Sequence, residues 1–313
     1  FDHTFLGGLD WHRDTPKKRM LIKEEGYTTD LIAKEAVDFI KTSAKDTEPF
    51  LLYVPFNAPH SPFQAKEADI ATMDEKSKMP HKARRTYKAM VHSMDVAIGK
   101  ILDELEKTGQ AENTFVLFFS DNGGVKNLGD NAPFRGHKFN QAEGALRVCA
   151  AARWPAGGIT GGKTIGKGTI GYIDVYPTLK HMMGLDKEKA PNPLDGINIL
   201  PILKGEKPAP PRDWFGYLDQ GGKWVQYSII NYPMKLAVYT KDIHNVKPEE
   251  YSLYNIEKDP GEKTDLKDQH FELCRAMAAK LQAFKKTQHN KMPRYDVGKK
   301  DFTPPKAWTV PRP

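Results

Sequence analysis

The sequence predicts an α/β fold, with a mostly parallel sheet sandwiched by helices and a small C-terminal α+β domain that has an antiparallel sheet and a helix. A helical pattern followed by a short apolar run occurs twice, in residues 29–54 and in residues 82–119. Continuous apolar runs are typical of strands covered on both faces, and their alternation with helices favours a parallel sheet. Several strand-like runs separated by turns follow residue 213 and predict the antiparallel sheet.

Two segments near the N-terminus have the apolar periodicity of amphipathic helices. In Thr29–Ala44, the Thr29 hydroxyl can cap the first turn. Lys82–Lys107 keeps apolar residues at intervals of three and four along its whole length, and Gly109 is a suitable stop. The buried strands that follow these helices are predicted at Phe50–Val54 and Thr114–Phe119.

A segment rich in proline and basic residues, Lys204–Arg212, suggests a domain boundary. We therefore predict a catalytic-domain part over residues 1–205, a small subdomain over residues 206–289 and an extended tail over residues 290–313. The remaining predicted elements are a surface loop at Asp10–Glu25, a strand at Leu146–Trp154, a helix at Ile173–Leu185, strands at Trp214–Leu218, Lys223–Ile230, Met234–Tyr239 and Tyr251–Tyr254, and a helix at Asp265–Lys286.

Composition excludes several classes of protein. The 313 residues are 39% apolar, enough for a sizeable core, and no apolar run approaches the roughly 18 residues of a membrane span. The net charge of +7 is spread along the chain, which fits either a solvated surface or attraction of polyanions. No zinc finger, RNP motif or basic helix favours nucleic acid. Cys149 and Cys274 lie in apolar surroundings and are predicted to be core residues.

Two polar loops directly follow predicted strands, at Pro59-His60-Ser61-Pro62 and at Ser120-Asp121-Asn122-Gly123-Gly124. Ligands of α/β sheets bind beyond the carboxyl ends of strands, which is where both loops are expected. Asp121 and Asn122 offer two hard oxygen ligands for a metal, although turns rich in Asp, Asn and Gly are common without one. A single histidine such as His60 is more often structural or exposed than catalytic, although the prolines around it fix the backbone and would hold a catalytic group in place.

A third loop concentrates positive charge, with Arg135, His137 and Lys138 within four residues. An arginine fork and a lysine point charge together can clamp a tetrahedral anion. The alternative is a solvated basic loop. We expect the His60 loop, the Asp121 turn and Lys138 to converge on one pocket for an anion and a cation.

These segments resemble, in the same order, the type I (formylglycine-dependent) sulfatase family of the alkaline phosphatase superfamily. The resemblance covers nearly the whole chain, and its segments follow one another in the family's order. The matching segments are Pro49–Tyr53 with Pro59–Pro62, Met94–Gly99, Asn113–Gly123, Arg135–Lys138 with Glu143-Gly144, Trp154-Pro155, Asp174–Thr178, Leu194–Gly196, and Ser252–Asn255 with Asp259–Glu262.

The resemblance implies a sulfuric ester hydrolase, with a sulfated carbohydrate as the expected substrate. It implies that Asp121 and Asn122 bind Ca²⁺, or Mg²⁺ as in some members. Lys138 is then expected to contact the sulfate and its bridging oxygen, and His60 to bind the sulfate and help protonate the leaving group. Substrate contacts are also expected from Arg135 and His137, and sugar contacts from the Trp214–Trp224 region. The family implies a secreted, periplasmic or lysosomal location.

One departure from the family concerns the nucleophile, a formylglycine made in a Cys/Ser-x-Pro-x-Arg motif. This motif is absent from the chain, and Cys149–Arg153 has the Cys-to-Arg spacing but no proline. We therefore expect the nucleophile and the remaining metal ligands on an amino-terminal segment or a separate chain, and we expect this chain alone to be inactive. The alternatives are a phosphodiesterase or phosphonate monoester hydrolase of the same superfamily, and a non-catalytic relative that binds sulfated glycans.

Overall fold

The computed structural model describes the backbone of four short strands before residue 22 and, beyond them, residues 24–73, 82–190, 192–218, 224–242 and 245–287. The chain divides into two compact units, with Phe1–Glu112 in unit 1 and Asn113–Lys291 in unit 2. The predicted tail over residues 290–313 lies outside the described residues. The predicted boundary at residue 205 falls inside unit 2, and the domain division stays a prediction.

Unit 1 begins with two antiparallel hairpins. Strands β1 (Thr4–Phe5) and β2 (Gly8–Leu9) form the first, and β3 (His12–Thr15) and β4 (Lys18–Leu21) form the second. The prediction of an irregular loop over Asp10–Glu25 is therefore wrong for β3 and β4. A two-residue connection brings two strands into register locally, so this ladder forms in a stretch without apolar periodicity.

Three helices complete unit 1: α1 (Thr28–Ser43), α2 (Glu67–Ala71) and α3 (Lys82–Lys107). The two predicted helices are confirmed, and α1 packs against α3. Their contact is made largely by small and aliphatic side chains. The buried members are Leu31, Ala33, Ala36 and Ile40 on α1, and Ala89, Met90, Ala97 and Leu105 on α3.

Polar contacts hold α2 to its two neighbours. The Lys66 ammonium lies 2.8 Å from Asp30 on α1 and 3.3 Å from Asp69 on α2, and the Ser93 hydroxyl of α3 donates to Asp69. Burial alone would raise the pKa of Asp69, but the Ser93 hydrogen bond and the Lys66 charge together hold this pKa below its usual value. Asp69 is therefore held in its charged form.

The segment Phe50–Val54 pairs with no other described strand, so the predicted strand is not formed. Leu51 is 66% exposed and Tyr53 is 82% exposed, whereas a strand of a covered sheet would bury both. An extended segment becomes a strand only when a neighbour supplies ladder partners. The described part of the chain supplies none here.

In unit 2, β5 (Val116–Phe119) pairs with β6 (Ala150–Arg153) in antiparallel register, with Val116 opposite Arg153. Both strands were predicted, although β6 begins four residues late because α4 (Glu143–Leu146) precedes it. All strand pairs among the described residues are antiparallel. The predicted mostly parallel sheet is therefore not formed there, since a parallel neighbour requires a strand that returns through a crossover.

The C-terminal part of unit 2 confirms the predicted antiparallel sheet and helix. The sheet has the order β10-β9-β8-β7, and α7 packs on one of its faces. The core between them consists of Tyr227, Ile229, Leu236, Val238, Leu253, Met277 and Leu281. The bounds are β7 (Trp214–Leu218), β8 (Val225–Asn231), β9 (Met234–Thr240), β10 (Tyr251–Asn255) and α7 (Phe271–Thr287).

Helix α7 starts six residues later than predicted because Asp265 lies in a turn that precedes the helix. Its carboxylate accepts hydrogen bonds from the backbone amides of Leu253 and Lys267, at 3.0 Å each, and so fixes a turn before the helix.

The burial of the two cysteines also differs from the prediction. Cys149 is exposed just before β6 and Cys274 is half-buried on α7, so the prediction that both are core residues is wrong.

Two short helices, α5 (Val175–Met182) and α6 (Leu200–Leu203), lie between β6 and β7. Helix α5 confirms the prediction at Ile173–Leu185. The fully buried Asp174 before it is held by a two-pronged ion pair with Arg212 and by the amides of Gly171 and Ile197, each at 2.9 Å. In the part of the chain that the structure describes, none of the helices combines the length and the apolar character needed to cross a bilayer.

Candidate functional site

The turn that carries Asp121 and Asn122 lies directly after β5, as the sequence predicts. The Ser120 hydroxyl donates to the Asn122 carbonyl at 3.0 Å, and the Gly123 amide donates to the Ala145 carbonyl at 2.9 Å. Asp121 is exposed, and within the described residues no hydrogen bond to its carboxylate is found. The turn therefore presents a carboxylate and an amide on a fixed backbone.

The glycine after this turn is required by a close backbone approach. A Cβ atom on Gly123 would lie 1.8 Å from the carbonyl oxygen of Gly144, a separation that atoms cannot adopt. The Gly144 amide in turn donates to the Arg135 carbonyl at 2.7 Å, and a Cβ there would lie 2.7 Å from that oxygen. The two glycines let the Asp121 turn and the basic loop pack backbone to backbone.

Asn131 links the turn to the loop that carries Lys138. Its side chain accepts from the Gly124 amide at 2.8 Å and donates to the carbonyls of Gly124, at 3.2 Å, and Gly136, at 3.1 Å. The Lys138 amide also donates to the Gly124 carbonyl, at 3.0 Å. The structure thus brings the predicted metal residues and the predicted sulfate lysine into one cluster of loops. We call this cluster, residues 120–147, the lysine-loop cluster.

The donor set fits a hard cation in part. Asp121 and Asn122 supply carboxylate and amide oxygens, the ligand type that Ca²⁺ and Mg²⁺ prefer. Ca²⁺ takes about six to eight oxygens, more than these two side chains offer. Across the described ranges, no group of three or more His, Cys, Asp or Glu side chains suits a metal. The two residues therefore fit as half of a site.

The structure fixes the tautomer of His137 and places an aromatic ring beside the Lys138 ammonium. His137 Nδ1 lies 2.7 Å from the Lys138 carbonyl, which can only accept, so Nδ1 carries the proton and Nε2 is left for a ligand. An open pocket of about 230 Å³ lies beside it, with Lys126, Asn131 and Phe134 among its walls. The Lys138 ammonium lies 5.4 Å from the centroid of the Phe139 ring.

Arg135 is engaged within the protein. Its Nε lies 3.5 Å from the Glu262 carboxylate, and its guanidinium lies 5.4 Å from the centroid of the Tyr254 ring. Sulfate binding by Arg135 stays a prediction, but the structure already gives this side chain an anchoring contact. About half of the Arg135 side chain remains exposed.

A buried ion-pair cluster below the loops was not predicted. The Lys235 ammonium lies between the carboxylates of Glu143 and Glu262, and the Glu143 amide donates to Glu262 at 2.9 Å. A signal for it was present in the sequence, because Lys235 interrupts the apolar run of β9 at a position flanked by Met234 and Leu236. We call Glu143, Lys235 and Glu262 the buried triad.

His60 lies in unit 1. Its Nδ1 is 2.7 Å from the Ser61 carbonyl, so the ring is held as the Nδ1–H tautomer with Nε2 available. The side chain is exposed, as a group that meets substrate must be. The expected convergence of His60 with the lysine-loop cluster stays a prediction.

Comparison with known proteins decides the family. Residues 1–185 match the family model described as Sulfatase. This chain belongs to the sulfatase family. A sulfatase of Formosa agariphila is 31% identical over 284 residues, which cover 82% of this chain and 50% of that protein. The N-acetylgalactosamine-6-sulfatase of Homo sapiens is 35% identical over 185 residues, which cover 57% of this chain and 33% of that protein.

Two solved structures show which fold this sulfatase-family chain shares. The crystal structure of Ps i-CgsB in complex with k-i-k-neocarrahexaose has a TM-score of 0.74 and 29% identity, over 85% of this chain and 57% of that one. The phosphonate monoester hydrolase of Agrobacterium radiobacter has a TM-score of 0.54 at 20% identity, over 83% of this chain and 62% of that one. These neighbours imply the alkaline phosphatase-like fold. The chain spans between a third and a half of the length of these two curated relatives, the sulfatase of Formosa agariphila and the human N-acetylgalactosamine-6-sulfatase.

Proposed function

We propose that this protein is a sulfuric ester hydrolase that acts on a sulfated carbohydrate. The observation that carries the proposal is the lysine-loop cluster, in which Asn131 fastens the Asp121–Asn122 turn to the loop of Lys138. Membership of the sulfatase family supports the reaction type. The carbohydrate is supported by the relative named N-acetylgalactosamine-6-sulfatase and by the neighbour solved with neocarrahexaose.

The proposed substrate is a sulfate ester, whose sulfur is shielded by negatively charged oxygens. Lys138 offsets the charge on those oxygens and on the bridging oxygen as the ester bond breaks. His60, held as its Nδ1–H tautomer, directs Nε2 to the leaving oxygen and delivers a proton when it is protonated there. His137 offers a second Nε2 to substrate hydroxyl groups.

Asp121 and Asn122 would hold Ca²⁺, or Mg²⁺, through their side-chain oxygens. When bound, the ion polarises the ester oxygens as a Lewis acid. The nucleophile and the other metal ligands are proposed to come from an amino-terminal segment or a separate chain. A secreted, periplasmic or lysosomal location fits this proposal, because sulfated glycans are extracellular or lysosomal substrates.

The test uses the natural-length protein, purified with calcium, and compares 4-nitrophenyl sulfate with a phosphodiester, bis(4-nitrophenyl) phosphate, and a phosphonate monoester, 4-nitrophenyl phenylphosphonate. We expect turnover of the sulfate ester to exceed that of both phosphorus esters. Faster turnover of a phosphorus ester would move the protein to the phosphodiesterase or phosphonate hydrolase group. Absence of all turnover, together with an upstream sequence that lacks Cys/Ser-x-Pro-x-Arg, would leave a non-catalytic glycan-binding relative.

A further inference from the structure

An exposed aromatic pair lies at one end of the C-terminal sheet. The rings of Trp224 and Tyr239 stack in parallel, with centroids 4.5 Å apart and 5° between planes, and the two residues are 42% and 52% exposed. The Lys241 ammonium lies 4.8 Å from the centroid of the Trp224 ring. Scattered exposed aromatics need no explanation, but a stacked pair beside a cation is a surface with binding chemistry, because the stack leaves the outer ring faces open. We call Trp224, Tyr239 and Lys241 the aromatic platform.

The strand register places this platform on the same face of the sheet as the lysine-loop cluster. Gln226 lies opposite Tyr239, and side chains alternate along a strand, so Tyr239 shares a face with Lys235. Gln226 accepts from the Gln141 amide at 3.2 Å and donates to the Phe139 carbonyl at 3.4 Å. The opposite face is occupied by α7. The platform thus lies on the sheet face whose Gln226 contacts the loop that holds Lys138.

Phe139 lies between Lys138 and the contact with Gln226. Its backbone φ is +75°, a conformation that a bulky side chain rarely adopts, and the residue is 56% exposed. Such strain persists only where surrounding contacts enforce it, and it is concentrated at functional positions. The Phe139 carbonyl accepts a hydrogen bond from the Gln226 side chain at 3.4 Å, and the Phe139 ring lies outside the core. The surface therefore runs from the Lys138 ammonium over an aromatic ring towards the platform.

We propose that the aromatic platform binds a pyranose ring of a sulfated glycan, in the unit next to the one whose sulfate meets Lys138. This inference rests on the proposed function and adds a second sugar site to it. A pyranose offers a flat face of C–H groups that packs on an outer face of the stacked pair, where the negative charge density of the ring attracts polarised hydrogens. Its hydroxyl groups remain in water, and Lys241 is placed to pair with a sulfate group.

The experiment uses Trp224→Ala and Tyr239→Ala in the natural-length protein. Phe271→Ala is the matched control, because Phe271 is an exposed aromatic on α7, on the other side of the sheet. Substrates are a carrageenan hexasaccharide, a hexasaccharide ending in N-acetylgalactosamine 6-sulfate, and 4-nitrophenyl sulfate. For at least one hexasaccharide we expect KM to rise roughly tenfold in each platform variant, equivalent to about 1.4 kcal/mol of binding.

The small ester separates this inference from the proposed function. With 4-nitrophenyl sulfate we expect both platform variants to keep the wild-type kcat and KM, since this substrate has no second sugar. Unchanged KM for both hexasaccharides, together with unchanged affinity in calorimetric titrations, overturns the platform while leaving the sulfatase proposal intact. If the wild type hydrolyses none of the esters, the proposed function fails, and calorimetry on the same variants still decides whether the platform binds the glycan.

Discussion

The Lys235 ammonium lies 2.9 Å from the Glu143 carboxylate, although 92 residues separate the two in the chain. Glu262 completes the buried triad at 3.0 Å from the same ammonium, and the three side chains are at most 4% exposed. Glu143 begins α4 just after the loop of Lys138, and Lys235 is the second residue of β9. The ion pair therefore fastens the lysine-loop cluster to the C-terminal sheet.

The first prediction is that Lys235→Met destabilises the protein, because it removes the only positive charge of the buried triad. Removing the ammonium leaves two buried carboxylates facing each other, and among the described residues the cations still within 4.0 Å are Arg135, at 3.5 Å from Glu262, and Arg147, at 4.0 Å from Glu143. Loss of one partner of a buried ion pair costs about 3–5 kcal/mol. We expect the free energy of unfolding, measured by urea denaturation, to fall by this amount.

Two further variants test the cause of that loss. Lys258→Met removes an exposed lysine from the turn after β10 and is expected to change stability by less than about 0.5 kcal/mol. Adding Glu143→Gln and Glu262→Gln to Lys235→Met neutralises the stranded carboxylates and should restore part of the loss. A triple variant as unstable as Lys235→Met would show that shape, rather than charge, accounts for the effect.

The second prediction concerns Gly123, whose Cβ in an alanine variant would lie 1.8 Å from the Gly144 carbonyl oxygen. The backbone must separate there, which moves the Asp121–Asn122 turn away from the lysine loop. We expect Gly123→Ala to lower kcat/KM on an aryl sulfate by at least about 100-fold, a loss typical of misplaced catalytic groups. Gly99→Ala serves as the control, because nothing lies within 4 Å of its Cβ position on α3. Its activity should stay at the wild-type level.

The sequence anticipated the elements whose stability is local or periodic. Helices α1 and α3 follow from their spacing of apolar residues, and the four strands of the C-terminal sheet follow from short apolar runs between turns. The contact between the Asp121 turn and the lysine loop is also suggested by the sequence, because about ten residues separate the two segments. Short-range patterns of this kind are carried by a few neighbouring residues.

Contacts between distant segments could not be read in the same way. Nothing about Lys235 identifies Glu143 as its partner, since the pairing depends on how β9 packs on α4. Phe50–Val54 has the composition of a buried strand, yet composition cannot supply a hydrogen-bonded neighbour. The stacking of Trp224 on Tyr239 likewise depends on the register of β8 and β9, which becomes visible only in the folded sheet.

The third prediction is a pH dependence that arises at Asp213. Partial burial would raise its pKa, but hydrogen bonds from Asn231 and Lys280 and the charge of Lys280 hold the pKa below its usual value. A carboxyl with a depressed folded pKa stabilises the protein above its unfolded pKa, and this stabilisation is lost as pH falls through the folded value. We expect Lys280→Met to reduce stability at pH 6 by under about 1 kcal/mol, because the pair is partly exposed.

Urea denaturation of Lys280→Met and wild type at pH 6 and pH 3 checks this dependence. The wild type should have the larger free energy of unfolding at pH 6. Its advantage over Lys280→Met should become smaller at pH 3, where protonation of Asp213 begins to remove the negative charge. Lys286→Met, which removes an exposed lysine from the last turn of the same helix, should show no such change with pH. A difference that is equal at both pH values would contradict the assignment to Asp213.

The fourth prediction concerns the proposed metal residues. If Asp121 supplies a carboxylate ligand, Asp121→Asn keeps the shape of the turn and removes one negative charge from it. We expect chelation with EDTA to abolish aryl sulfate turnover and added Ca²⁺ to restore it, with at least about tenfold more Ca²⁺ required by the variant. Asp130→Asn, an exposed position in the same cluster of loops, should keep the wild-type calcium requirement.

The last prediction addresses the charge of Lys138. Its ammonium is the proposed counter-charge to the sulfate oxygens, and its backbone is fixed by the Gly124 carbonyl, so Lys138→Met should leave the loop in place. Loss of one group that stabilises transition-state charge lowers kcat by roughly 100- to 1,000-fold. Steady-state kinetics on 4-nitrophenyl sulfate should show this loss in Lys138→Met and partial recovery in Lys138→Arg. Lys163→Met, an exposed lysine outside the lysine-loop cluster, should retain full activity, and equal losses at both positions would mean that general positive charge, rather than Lys138, assists the reaction.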